Sequence, residues 1–279
     1  MRLTVFRMLL FFAGLLSVGS LVLYFLGAGT FSEFDLALSA IEVVSLVALA
    51  VWAWLSDSAR AALLLYSGLW AGLLATLAYD LVRVPAVHGG VPVFKAISYF
   101  GTILLGQDRP TVLSEILGWA YHLSNGVSFA LMYVALGGLK GSGTAKVVTG
   151  VLWGLSLEGA MLLTPYAEVL GYQRDARFVT ITIGSHVVYG VVIGLSLHYY
   201  RRFPAGRPRW IALAAFLVPA ALAMIAIDFN RQYSKKIPLS PPAYIGRHLY
   251  VVWNVPEPDR IAAIWLTQPS QLNPISGKD

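Results

Sequence analysis

The chain has 279 residues, 57% of them hydrophobic and 12% charged, with a mean hydropathy of +0.69 and a formal net charge of +6. Soluble domains carry about 25% charged residues, so this composition excludes an ordinary soluble globule and predicts a polytopic helical membrane protein. Most of the positive charge falls in short loops, where membrane orientation accounts for it without nucleic acid as a partner, and the lack of cysteine excludes disulfides, thiolate metal sites, thiol nucleophiles and covalent c-type haem.

Arg2 and Arg7 precede an apolar run over 8–26. A basic start before such a run fits a cleaved signal peptide or a first membrane helix, and the length of the run favours the helix. Further spans are predicted over 34–55, 61–81, 112–139, 147–165, 178–200 and 210–227. Each is near the ~20 residues that cross ~30 Å of hydrocarbon. The expected fold is therefore an all-α bundle of seven transmembrane helices over residues 1–227, or six if the first is removed.

Orientation follows from Lys and Arg. Arg2, Arg7, Arg60, Lys140, Lys146, Arg201, Arg202, Arg207 and Arg209 fall on one side, against Arg83, Lys95, Arg109, Arg174 and Arg177 on the other. This predicts a bacterial inner-membrane protein with a cytoplasmic N-terminus and an extracytoplasmic C-terminus. Between the third and fourth spans, VPVFKAISYFGTILL is apolar and aromatic, and predicts a helix at the outer interface or a re-entrant piece. Residues 228–279 form a Pro-rich tail in which HLYVVWNV and RIAAIWLTQ flank NVPEPD, the pattern of two short strands and a turn. A lone hairpin is marginal in water, so the tail is expected to dock on the bundle or on another membrane subunit.

The fourth span is the least ordinary. At helical spacing, Glu115, Gly118, His122, Asn125, Gly126, Phe129 and Tyr133 form a small and polar stripe on an oily helix. Such a stripe points into protein rather than lipid. Its HLSNGVSFALM, from His122, is echoed by HVVYGVVIGLS from His186. On the fifth span Gly150, Gly154 and Glu158 follow at steps of four, a spacing that lets a neighbouring helix press in.

Ionisable groups in a membrane are costly and are candidates for function. His122, His186 and Glu158 fall roughly 12–15 Å below the outer surface at 1.5 Å per residue. Glu42 falls at a similar depth, and Asp80 is expected nearer the outer end of its helix. A histidine on a helix interface is ordinarily a hydrogen-bonding packing residue, and Asp80 with Arg83 is equally well a local ion pair. Glu158 has the weakest such explanation, because a carboxylate that deep needs a partner or a proton.

Three functional readings follow. His122 and His186 suit the axial positions of a haem b. His122, Glu158 and His186 suit a divalent metal such as zinc or iron, although no H-E-x-x-H or E-x-x-H accompanies them. The same cluster, with Glu42, Asp80 and Asn125 as further intramembrane polar residues, suits a proton relay or substrate path, and the echo between two helices of one direction matches the parallel repeats of some transporters. A retinal protein is disfavoured, since the last span holds no lysine.

The stretches GLLATLAYDLVRVP, HLSNGVSFALMY, GVLWGLSLEGAML and HVVYGVVIGLSL, over about residues 70–197, resemble a loose group of uncharacterised bacterial multi-pass membrane proteins with repeated H-x3-G spans. The resemblance implies a helical bundle and no known activity. The expected class is a membrane protein without assignable reaction, an accessory subunit of a membrane complex with a His/Glu metal or haem site. A secondary transporter and a metal-dependent membrane enzyme are the alternatives.

Overall fold

A computed structural model describes residues 2–25, 28, 31–105, 109–163, 172, 174–200, 250–254 and 261–265. Its helices are α1 (Leu3–Phe25), α2 (Phe31–Leu55), α3 (Ala59–His88), α4 (Lys95–Leu104), α5 (Val112–Tyr133, continued by a π turn Val134–Gly138), α6 (Gly143–Leu162) and α7 (Ala176–Tyr199). Strands β1 (Tyr250–Asn254) and β2 (Ile261–Trp265) pair antiparallel, Tyr250 opposite Trp265. The span expected over 210–227 and most of the expected tail lie outside the described residues.

Local signals account for the helix ends. The Ser58, Thr111, Ser142 and Asp175 side chains accept from the first-turn amides of α3, α5, α6 and α7, satisfying donors that have no partner within the helix. Thr111 and Ser114 cap each other reciprocally. After α5, Gly137 turns the chain at φ 124°, a conformation open to glycine. The π turn leaves the Ala135 carbonyl available, and Arg7 of α1 donates to it at 2.7 Å.

Five described helices are long and apolar enough to cross a membrane: Leu3–Tyr24, Ala37–Leu55, Ala59–His88, Gly143–Leu162 and Ala176–Tyr199. α5 has the length, 22 residues, but its stripe of Glu115, His122 and Asn125 makes it less apolar than these. It tolerates that stripe because it lies between α1 and α3, with α4 laid across its first half. α4 is only 10 residues long and crosses α5 where Gly101 faces Ser114 and Gly118 faces Ile97. The expected interfacial segment is thus a short helix packed on the bundle.

Neighbours run in the order α2, α1, α5, α3, α7, α6. The main core fills the α1–α5–α3 junction with Phe6, Leu10, Leu65, Leu131 and Val134, and extends to Ile193 and Leu197 of α7. α6 packs chiefly on α7 and keeps Val148, Leu152 and Leu163 exposed. On α2, Ile41, Val43, Val44, Val47, Val51 and Trp54 are exposed. Apolar surface of this extent is costly in water and suits lipid.

One expected helix boundary is corrected. α3 does not stop near Leu81 but continues through Pro85 to His88. Pro85 removes one amide donor without ending the helix, and Gly89 closes it. Asp80 therefore lies well inside α3, level with His122.

Candidate functional site

The polar centre is built from two helix pairs of one design. In the first, α3 carries Gly68, Gly72, Thr76 and Asp80 at steps of four. These face Leu131, Val127, Gly126 and His122 of α5 in turn, so the two helices run antiparallel. In the second, α6 carries Gly150, Gly154 and Glu158 at the same steps. Gly150 meets the backbone of Gly190, Gly154 meets that of His186, and Glu158 meets the His186 ring. Small residues at a spacing of four bring two backbones together. In both pairs that seam ends in a carboxylate, and in both the partner helix supplies the histidine of an H-x3-G sequence.

In the first pair His122 Nε2 lies 3.0 Å from Asp80 Oδ1 and 3.1 Å from Oδ2. Both oxygens of a carboxylate accept, so Nε2 carries a hydrogen and shares it between them. In the second pair His186 Nδ1 lies 2.9 Å from the Thr182 carbonyl and 2.8 Å from Glu158 Oε2. A carbonyl only accepts, so Nδ1–H is directed at Thr182. The contact with Glu158 is close but misaligned, and among the described residues neither oxygen of Glu158 takes part in a well-formed hydrogen bond. The Glu158 side chain is 2% exposed.

Tyr79 joins the two pairs. Its ring centroid is 6.1 Å from that of His122 and 4.9 Å from that of His186, edge-on to the latter. One turn along α3, the Arg83 guanidinium sits 4.7 Å from the Tyr79 ring and donates to the Val93 carbonyl at 2.6 Å. Trp119 stands edge-on to His122 at 5.8 Å. Tyr189, three residues beyond His186, donates to the Gly126 carbonyl at 2.6 Å. Both imidazoles therefore touch one tyrosine, on helices α5 and α7 that both pack on α3.

The remaining expected residues fall elsewhere. Glu42 accepts from Ser128 of α5 at 2.5 Å, and Asn125 Oδ1 accepts from Ser17 of α1 at 2.7 Å. They belong to a hydroxyl-rich array between α1, α2 and α5 that also holds Asp35, which accepts from Ser20 at 3.1 Å and Ser39 at 3.3 Å. The two polar arrays meet α5 through different residues, Asn125 and Ser128 for the one and His122 for the other.

The expected convergence of His122, Glu158 and His186 is thus corrected in part. Glu158 meets His186, whereas His122 takes Asp80, its neighbour across the other seam. Among the described residues no three His, Asp or Glu side chains are grouped to hold a metal ion. The Tyr79 ring contacts both imidazoles that were expected to serve as haem ligands. What the arrangement offers chemically is two imidazole–carboxylate contacts, with the Tyr79 ring against both imidazoles. Sequence reasoning passed over Tyr79 and Asp35. Asp35 had a readable signal, a carboxylate inside an apolar run, while nothing set Tyr79 apart from other membrane aromatics.

Fold and centre define a polytopic helical protein of the membrane type, built around paired His–carboxylate helices. The chain belongs to the Family of unknown function (DUF6789), whose model matches residues 64–207, just over half of its length. The matched stretch includes nearly all of α3 and the whole of α4 to α7, hence both helix pairs. No curated protein and no solved structure matches the chain.

Proposed function

We propose that this chain is a seven-helix bacterial inner-membrane protein that works as a proton-coupled secondary transporter. Its N-terminus is cytoplasmic and its C-terminal tail extracytoplasmic. α5 and the apolar run over 210–227 join the five apolar helices to make seven, and the Lys and Arg distribution supports the orientation. One observation carries the transport reading: two antiparallel helix pairs of the same design abut across Tyr79, each setting a histidine against a carboxylate. Parallel repeats with a polar site at their interface are a transporter architecture. Titratable groups inside a bilayer commonly mark proton paths.

The test is a pH step on proteoliposomes adsorbed to a solid-supported membrane. Proton binding inside the membrane displaces charge, so the step evokes a transient current above that of protein-free liposomes. His186→Ala should abolish it. A wild-type signal equal to the protein-free control removes the reading.

A second reading, an accessory subunit of a membrane complex, draws on the paired strands β1 and β2. Two strands alone are marginal in water and gain from docking on another polypeptide. Cross-linking in native membranes through a photoreactive residue at Val252 tests it: cross-links to a second protein favour the subunit, and cross-links confined to this chain count against it.

A further inference from the structure

Arg7 of α1 and Lys140, just past α5, bring two positive charges to one turn at the basic end of the bundle. We propose that this turn, at Gly137, is a binding site for the phosphodiester headgroup of an anionic glycerophospholipid.

The site is built on the π turn that ends α5. Arg7 Nε–H donates to the Ala135 carbonyl at 2.7 Å. A guanidinium is planar, so fixing Nε also fixes the plane of the two outer nitrogens. One of them, Nη2, lies 3.4 Å from the point where a β-carbon on Gly137 would stand. The Lys140 stem passes the same point, with Cδ at 3.6 Å and Cε at 3.8 Å. Gly137 keeps that point open, and its φ of 124° favours glycine there. The Lys140 amide donates to the Gly137 carbonyl at 2.8 Å, which holds the lysine beside the gap.

Charge argues for an anion. Neither Arg7 nor Lys140 makes an ion pair among the described residues. In sequence, the loops at this end hold one acid, Asp57, which stands three residues from Arg60 in the α2–α3 turn. Two cations held close together repel, and an anion between them turns repulsion into attraction. A phosphodiester suits the pair: its two free oxygens match the fork of an arginine, and a lysine adds a point charge. Arg7 is already pinned, so binding costs it little side-chain freedom.

Position argues for a lipid rather than a soluble phosphate. Arg7 lies one turn inside the apolar helix α1, beside Met8 and Leu9, which are 50% and 46% exposed. Leu136, the residue before Gly137, is 61% exposed. Such surfaces suit acyl chains, and basic pockets between membrane helices are places where anionic headgroups bind.

Native mass spectrometry of the full chain, released from detergent with added phosphatidylglycerol or phosphatidylcholine, tests the site. We expect a phosphatidylglycerol adduct that phosphatidylcholine does not match. Lys140→Gln should weaken it about fivefold, the equivalent of the ~1 kcal/mol that one basic residue contributes to holding anionic lipid. Arg7→Lys keeps the charge but loses the fork, and should weaken it at least as much. Arg60→Gln, an exposed charge at the same end, should leave it unchanged. Excess inorganic phosphate should leave the adduct in place. Equal retention of the two lipids, wild-type affinity in Lys140→Gln or in Arg7→Lys, or a loss in Arg60→Gln as large as in Lys140→Gln overturns the proposal, the last by reducing it to diffuse attraction. Displacement by inorganic phosphate overturns the assignment to lipid. The Lys140→Gln, Arg60→Gln and lipid comparisons stand even if Arg7→Lys fails to fold.

Discussion

The Tyr189 hydroxyl donates a 2.6 Å hydrogen bond to the Gly126 carbonyl, so a residue of one H-x3-G helix is fastened to the glycine of the other. The bond is buried and links α7 to α5, which otherwise meet mainly through α3. Tyr189→Phe removes one hydrogen bond and keeps the ring. We expect a loss of about 0.5–1.5 kcal/mol, read as a lower unfolding midpoint in detergent, with the pH-step current retained. An unchanged midpoint would mean that the bond carries no net stability.

The α3/α5 seam predicts a compensating pair. A methyl at Gly126 runs into Thr76, and overpacking of this kind costs about 1–3 kcal/mol. Gly126→Ala should therefore destabilise, while Thr76→Gly in the same chain should recover part of the loss. A double variant no better than the sum of the two single ones would show that the seam is not the point of contact.

Lys95 opens α4, and its partial burial lowers its pKa below the usual lysine value. A lysine that is harder to protonate folded than unfolded penalises the folded state while charged. That penalty is complete below the folded pKa and vanishes above the unfolded one, about 10.4. Lys95→Met should accordingly be the more stable form at neutral pH, with the gap closing as pH rises into the lysine range. Thermal melts of both forms between pH 7 and 11 check this, and a gap that widens with pH contradicts it.

Orientation yields a direct topology test. Reporter fusions after Arg209 and after Asp279 should report opposite sides of the membrane, since one apolar run, 210–227, separates the basic loop from the tail. The same side for both removes the seventh span.

The helical spans were legible because length and hydropathy report directly on the solvent a helix faces. α5 was legible for the opposite reason: His122, Asn125 and Gly126 on one stripe make sense only within a bundle. Which carboxylate meets which histidine was not legible. Glu158 and His122 share a depth, but depth does not say that α3 stands between α5 and α7. Nor did it reveal that Pro85 leaves α3 intact and so brings Asp80 level with His122. The shared design of the two pairs was half visible as H-x3-G. The other half, a seam of small residues closing on an acid, emerged only once the α3/α5 and α6/α7 registers could be laid side by side.

Among the described residues α6 packs chiefly on α7, and this bears on how the protein is made. During synthesis α6 leaves the ribosome before α7, and so carries Glu158 ahead of His186, its partner among the described residues. A lone helix of modest hydropathy with a mid-span acid partitions into lipid reluctantly, because that acid alone costs about 2.5 kcal/mol or more when charged. The glycine seam offers a way round: α6 and α7 can close into a hairpin before either meets lipid, and enter the bilayer together with the acid already turned inward. Lateral release of this segment from the insertion machinery would then wait until Tyr199 has been made, and a chain truncated within α7 should leave α6 stranded at the membrane surface.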